Sequence, residues 1–205
     1  MSSSTIITIS REFGSGGRRI GELVAQKLGI PFYDKVLVQM AAQDTGFSED
    51  YVDQAEHSIT SSFLFNLAVS GFYADRTAGA DLVAPQDSVY FSQSKVIREL
   101  ADQGPCVIVG RCADYVLREK TNCLNVFVYA DEHSKLRRAV SEYGIEEKRA
   151  SRTLADRDRS RAVYYNHYTE RKWGTRGNYQ MMLHTGALKL EVCADLIVQA
   201  AKSRS

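Results

Sequence analysis

An apolar, β-branched run, Thr5-Ile6-Ile7-Thr8-Ile9, leads into the cluster Phe13-Gly14-Ser15-Gly16-Gly17, and a helical stripe of Ile20, Leu23, Val24 and Leu28 starts at once. Few folds accept that succession. The β-branched run favours a strand, and the stripe repeats at helical spacing. Strand, glycine-rich turn and helix together make a phosphate cradle. Glycines let successive backbone N–H groups converge on one anion, and the helix N-terminus adds partial positive charge. The competing reading is an ordinary glycine-rich turn.

The cradle departs from the standard phosphate loop, G-x-x-x-x-G-K-[ST]. Arg11 holds the first glycine position, Gly17 holds the lysine position, and no Ser or Thr follows. The cationic role is expected to pass to Arg18 or Arg19, since a guanidinium can hold two phosphate oxygens at once. The dinucleotide fingerprint G-x-G-x-x-G fails too, because Arg19 stands where its third glycine belongs. That disfavours a dinucleotide-dependent enzyme.

Downstream, short apolar runs alternate with helical patterns. Pro31-Phe32-Tyr33 reads as a short strand. Asp34 follows as a helix cap or a substrate contact. Ser48 to Ala68 reads as a helix capped by Ser48, and Ser70 to Gln86 as a loop or mobile insert. Asp87 is expected to cap a helix carrying Val89, Val96, Ile97 and Leu100. Cys106-Val107-Ile108-Val109-Gly110 is a continuous apolar run of the kind buried parallel strands show, and it delivers Arg111 to a strand end, where open α/β sheets bind ligands. Cys112 to Arg118 gives a short helix, Leu124 to Ala130 a strand, and Asp131 caps a helix closed by Gly144. A long polar helix follows from Glu146 to about Thr169 and contains Asp156-Arg157-Asp158-Arg159-Ser160-Arg161. Arg157 and Arg161 share a face, as do Asp158 and Arg161. Such a face can close over phosphates or simply be solvated. Tyr179 to Thr185 reads as the last strand and Leu188 to Ala201 as the last helix. The pattern predicts an α/β fold, a parallel sheet of about five strands flanked by helices.

The 205 residues suit one domain over 1–205. A formal net charge of +1 gives no global field to select nucleic acid or a membrane, and neither partner is expected. Four cysteines without metal-ligand spacing fit reduced thiols in a cytoplasmic protein. Met1-Ser2-Ser3-Ser4 leads straight into a strand, so no signal peptide is expected.

The chain resembles the cytidylate kinase-like group of P-loop kinases nearly end to end. The resemblance rests on Ile9-Ser10-Arg11-Glu12-Phe13-Gly14-Ser15-Gly16-Gly17-Arg18, Ile30-Pro31-Phe32-Tyr33-Asp34-Lys35, Val109-Gly110-Arg111-Cys112-Ala113-Asp114-Tyr115 and Val126-Phe127-Val128-Tyr129-Ala130. It continues through Arg161 with Tyr164-Tyr165, Tyr168-Thr169, Trp173-Gly174 and Asn178-Tyr179. The resemblance implies a nucleoside monophosphate kinase-like P-loop fold with a helical acceptor insert over 44–104 and a helical lid over 144–178. It implies ATP as donor with Mg²⁺, and phosphoryl transfer to a small acceptor, a nucleoside monophosphate by analogy. Gly14, Ser15, Gly16, Gly17 and Arg18 would hold the donor phosphates, with Arg18 or Arg19 replacing the loop lysine. Arg157 and Arg161 would clamp from the lid. Arg111 and Arg138 would meet the acceptor side, and Asp158 its nucleoside end. Asp34 and Lys35 fall where related enzymes place an acceptor-site Asp and Ser, so Lys35 is a departure. Leu154 stands in place of a lid arginine. No residue is assigned to Mg²⁺: Ser15 is a poor positional match, and no apolar strand ends in a suitable Asp. A nucleotide-binding protein of the same fold without kinase turnover is the alternative that the missing lysine raises.

Overall fold

The computed structural model describes residues 5–55 and 85–204. Five parallel strands form one sheet: β1 (Ile6–Arg11), β2 (Phe32–Tyr33), β3 (Val107–Val109), β4 (Cys123–Tyr129) and β5 (Met181–His184), in the order β2-β3-β1-β4-β5. The register pairs Ile7 with Val107 and Leu124, and Ile9 with Val109 and Val126. The central strand is covered on both faces, so its isoleucines are buried to either side. Ile7 and Ile9 pack under α1 (Gly17–Leu28) and the C-terminal helix Leu190–Ser203, against Ile20, Val24 and Ile197. Ile6 and Ile108 face the other way, onto Val96, Ile97 and Leu100. Thr8 donates its hydroxyl to Asn125 Oδ1 at 2.7 Å, so a buried polar group within this strand is paired.

The remaining helices are α2 (Lys35–Thr45), α3 (Pro85–Gln103), α4 (Ala113–Val116), α5 (Glu132–Ser141), α6 (Glu147–Thr169) and α7, the C-terminal helix already given. Residues 49–55 are also helical, and Ser48 caps them by accepting from Tyr51 N–H at 3.2 Å. The rest of the helix expected to Ala68, and the loop expected over Ser70 to Gln86, lie outside the described residues except Pro85 and Gln86, which are helical. Two expected caps are absent. Asp34 precedes α2, but its side chain makes no capping bond and turns instead to Arg18. Asp87 lies inside the first turn of α3 and accepts from the Tyr168 hydroxyl at 2.9 Å. In each case a long-range donor outcompetes the local amides. Asp131 does cap α5, accepting from Ser134 N–H at 2.8 Å.

The chain crosses from β1 to one side of the sheet and later to the other, so the loops after β1, β3 and β4 part at its carboxyl edge. Open sheets bind ligands at such a switch point. The 23-residue α6 spans this edge, a reach of about 35 Å. Its first half packs through Ala150 and Leu154 on Ala139, Leu136 and Phe13. Its second half packs through Tyr164 and Tyr165 on Tyr90 and Cys112. Asp158 and Arg161 lie between these anchors and face the loop after β1.

Candidate active site

The loop after β1 turns at Gly14 and Gly16, both at φ +79°, the left-handed region that glycine enters without steric cost. A Cβ on Gly14 would lie 2.9 Å from the Lys135 carbonyl. The loop's carbonyls are tied back on the side away from the cleft. Arg138 Nη1 donates to Gly14 O at 3.2 Å and Nη2 to Thr185 O at 2.8 Å, while Thr185 Oγ1 donates to Ser15 O at 2.7 Å. The Ser15 hydroxyl is buried and donates to Glu12 O at 2.7 Å. α1 then begins at Gly17 without a side-chain cap, so its first-turn N–H groups have no helical acceptor.

In front of this loop lies a cleft of about 300 Å³, lined by Arg11, Gly14, Gly16, Gly17, Arg18 and Arg161 among others. Behind it, a water-sized pocket of about 10 Å³ is walled by Arg11, Arg111, Arg161, Ser10 and Cys112. Arg11 and Arg161 therefore border both spaces. Arg111 reaches the inner pocket because Gly110, Arg111 and Cys112 are all left-handed, at φ +76°, +57° and +55°. That conformation costs a non-glycine residue about 1–2 kcal/mol. Hydrogen bonds from Ala113 N to Gly110 O at 3.1 Å and from Val116 N to Cys112 O at 2.9 Å hold the turn. Arg111 Nη2 also donates to Asp53 Oδ1 at 2.9 Å, reaching the helical segment 49–55.

Asp158 Oδ1 accepts from Phe13 N–H at 2.6 Å, and Arg161 Nη1 donates to Arg11 O at 3.3 Å. The helix α6 is thus fastened to the loop backbone. Lys135 Nζ bridges Glu12 at 3.0 Å and Asp158 at 3.3 Å. Burial pulls the Lys135 ammonium down, but its hydrogen bond to Glu12 and the charges of Glu12 and Asp158 together raise it above the usual lysine range. Burial raises the Asp158 carboxyl, opposed by the Phe13 N–H, Lys135 and Arg161.

The expected site residues divide. Gly14, Gly16, Gly17, Arg18 and Arg161 line the cleft, with Arg111 behind it. Arg18 is half-exposed and bound to Asp34 at 3.0 Å and Glu22 at 3.5 Å. Arg19 points outward onto Glu22 at 3.2 Å. Ser15 and Arg138 sit behind the loop and shape it. Arg157 is exposed, its guanidinium 5.9 Å from the Phe13 ring centroid. Lys35 is exposed at the start of α2. Sequence reasoning missed Arg11, Glu12, Lys135 and Asp53 as site residues. The one signal available was Arg11 standing where a glycine belongs.

A further unanticipated group is Asp114, buried beside Ser10. It accepts from the Tyr165 hydroxyl at 2.7 Å and the Ser10 hydroxyl at 3.5 Å. Burial raises its carboxyl above the unfolded value of 3.8, against these hydrogen bonds. The native state therefore holds this proton more tightly than the unfolded chain. The linked stability is complete below the unfolded value and is lost as pH rises through the folded one. Melting curves taken between about pH 4 and pH 7 should show the wild type losing stability relative to Asp114→Asn as pH rises. A constant difference would show that Asp114 is ionised throughout.

Glycines whose Cβ would be obstructed, first-turn amides without a side-chain cap and flanking arginines fit a phosphate chain. The described residues contain no group of three or more His, Cys, Asp or Glu side chains placed to hold a metal. The Ser15 hydroxyl is engaged within the loop, so the described residues offer no built ligand set for Mg²⁺.

Sheet order, glycine loop and flanking helices define a P-loop fold of the kinase type. The profile of the cytidylate kinase-like family matches residues 6–187, and the chain belongs to that family. An uncharacterized protein from Eubacterium ventriosum shares the fold at TM-score 0.71 and 27% identity, over 97% of this chain and 99% of that one. Shikimate kinases from Acinetobacter baumannii, solved with shikimate, and from Bacteroides thetaiotaomicron each align at TM-score 0.54 and 14% identity. The first covers 100% of this chain and 96% of its own, the second 97% and 98%. No curated protein matches the sequence. Among the described residues no helix is long and apolar enough to cross a membrane.

Proposed function

We propose that the protein transfers a phosphoryl group from ATP, used with Mg²⁺, to a small acceptor, a nucleoside monophosphate. The observation that carries this reading is that Arg11 and Arg161 border both the loop cleft and the inner pocket. A donor phosphate chain on the loop and an acceptor anion at Arg111 would meet between two guanidinium groups. Positioning and charge neutralisation supply most of the catalysis of phosphoryl transfer, and this chain offers both. Residues 44–104 form the acceptor-side insert and 144–178 the lid. Arg161 steadies charge on the transferring group, Arg111 faces the acceptor, and Asp158, Asp34 and Lys35 border its nucleoside side.

A coupled assay with ATP, Mg²⁺ and the common nucleoside monophosphates tests the proposal, with shikimate added because two structural neighbours are shikimate kinases. Turnover with a monophosphate is expected. Turnover with shikimate alone would reassign the acceptor. ATP binding without turnover across the panel would make the chain a nucleotide-binding protein, the reading that the absent loop lysine favours.

A further inference from the structure

Two departures from the standard phosphate loop, an arginine at position 11 and a glycine at position 17, meet in space. A Cβ on Gly17 would lie 2.6 Å from Arg11 Cβ and 3.1 Å from its Cγ. The Arg11 stem thus fills the space from which a loop lysine would grow. Further along, a Cβ on Gly110 would overlap Arg11 Nη1 and lie 3.0 Å from its Cζ. The side chain runs from Gly17 to Gly110, and both positions are clear of side-chain atoms where it passes.

Arg161 aside, the neighbouring cations are committed elsewhere. Arg18 holds Asp34 and Glu22, and Arg19 holds Glu22. Lys135 holds Glu12 and Asp158, and Arg138 holds Gly14 O and Thr185. Among the described residues no carboxylate lies within ion-pair distance of Arg11, although it borders the cleft.

We propose that the two departures are one exchange: Arg11 is the phosphate-binding cation of this loop, entering from its first position, and Gly17 is glycine because the Arg11 stem occupies the lysine's place. The exchange rests on the triphosphate-binding reading above. Arg18 and Arg19, the replacements expected from sequence, then serve α1 and its acidic neighbours.

The test is reciprocal. Mg·ATP affinity by calorimetry and thermal melting are measured for wild type, Arg11→Gly, Gly17→Lys and the double variant, which restores glycine and lysine at their standard places. Arg11→Gly should weaken ATP roughly 10- to 100-fold, and Arg11→Ala should do the same. Gly17→Lys alone should lower the melting temperature and weaken ATP, because two stems compete for one space. The double variant should bind within about fivefold of wild type, a coupling expected of contacting residues. Its nearest remaining contact at position 17 is Val128 Cβ at 3.3 Å, which a small shift relieves. Wild-type affinity in both Arg11 variants, an undisturbed Gly17→Lys, or a double variant no better than its singles would each overturn the exchange. A wild type that binds no ATP would instead overturn the triphosphate reading. The melting data read the steric coupling between positions 11 and 17 without any ligand.

Discussion

Arg161→Ala lowers turnover at saturating ATP by roughly 100- to 1000-fold, the range seen when one preorganised charge is removed from a developing anion. Arg161 is mostly buried, with 12% of its side chain exposed, and sits at the junction of the two pockets. Its Nη1 donates to Arg11 O at 3.3 Å, and its guanidinium lies 5.5 Å from the Phe13 ring centroid. The Asp158 carboxylate, 3.7 Å away, holds the charge in place. Such a side chain is preorganised before substrate arrives, so its effect belongs in kcat more than in KM. Arg161→Lys keeps the charge without the fork and should fall between wild type and alanine. Single-turnover rates with melting curves check this. Wild-type turnover in the alanine variant would leave α6 a packing helix with no part in transfer.

Gly14→Ala should have the largest effect on the loop itself. A methyl group at φ +79° meets the Lys135 carbonyl at 2.9 Å, Lys135 Cβ at 3.1 Å and Leu154 Cδ2 at 3.1 Å. The left-handed backbone costs about 1–2 kcal/mol, and the overlap about 1–3 kcal/mol more. The chain can escape only by moving α5 or by opening the loop, and either releases the carbonyls held by Arg138 and Thr185. A fall in melting temperature of roughly 5–15 °C follows for a chain of this size, together with loss of ATP binding. Gly29→Ala is the control. Gly29 is also left-handed, at φ +65°, but nothing lies within 4 Å of its Cβ direction, so only about 1–2 kcal/mol is at stake. Equal effects at the two glycines would mean that Gly14 is kept for its backbone angle and not for the packed surroundings.

The β1 run and the stripe of α1 arise from interactions a few residues apart, and periodicity records such interactions directly. The long arginine-bearing helix α6 was legible for the same reason, since side chains three and four apart must share a face. Asp34 and Asp87 look like caps on local grounds, yet Arg18 and Tyr168, 16 and 81 positions away, take their carboxylates.

The strand alternation, the glycine loop after the first strand and the charged long helix are properties of the chain itself, because short-range sterics and helical spacing decide them. Which cation serves the loop is a property of the folded molecule. Gly17 and Gly110 lie 93 positions apart, and only a sheet that sets β3 beside β1 lets one arginine lie across both. The bridge from Lys135 to Glu12 and Asp158, and the reach of Arg111 to Asp53, depend likewise on packing between distant elements.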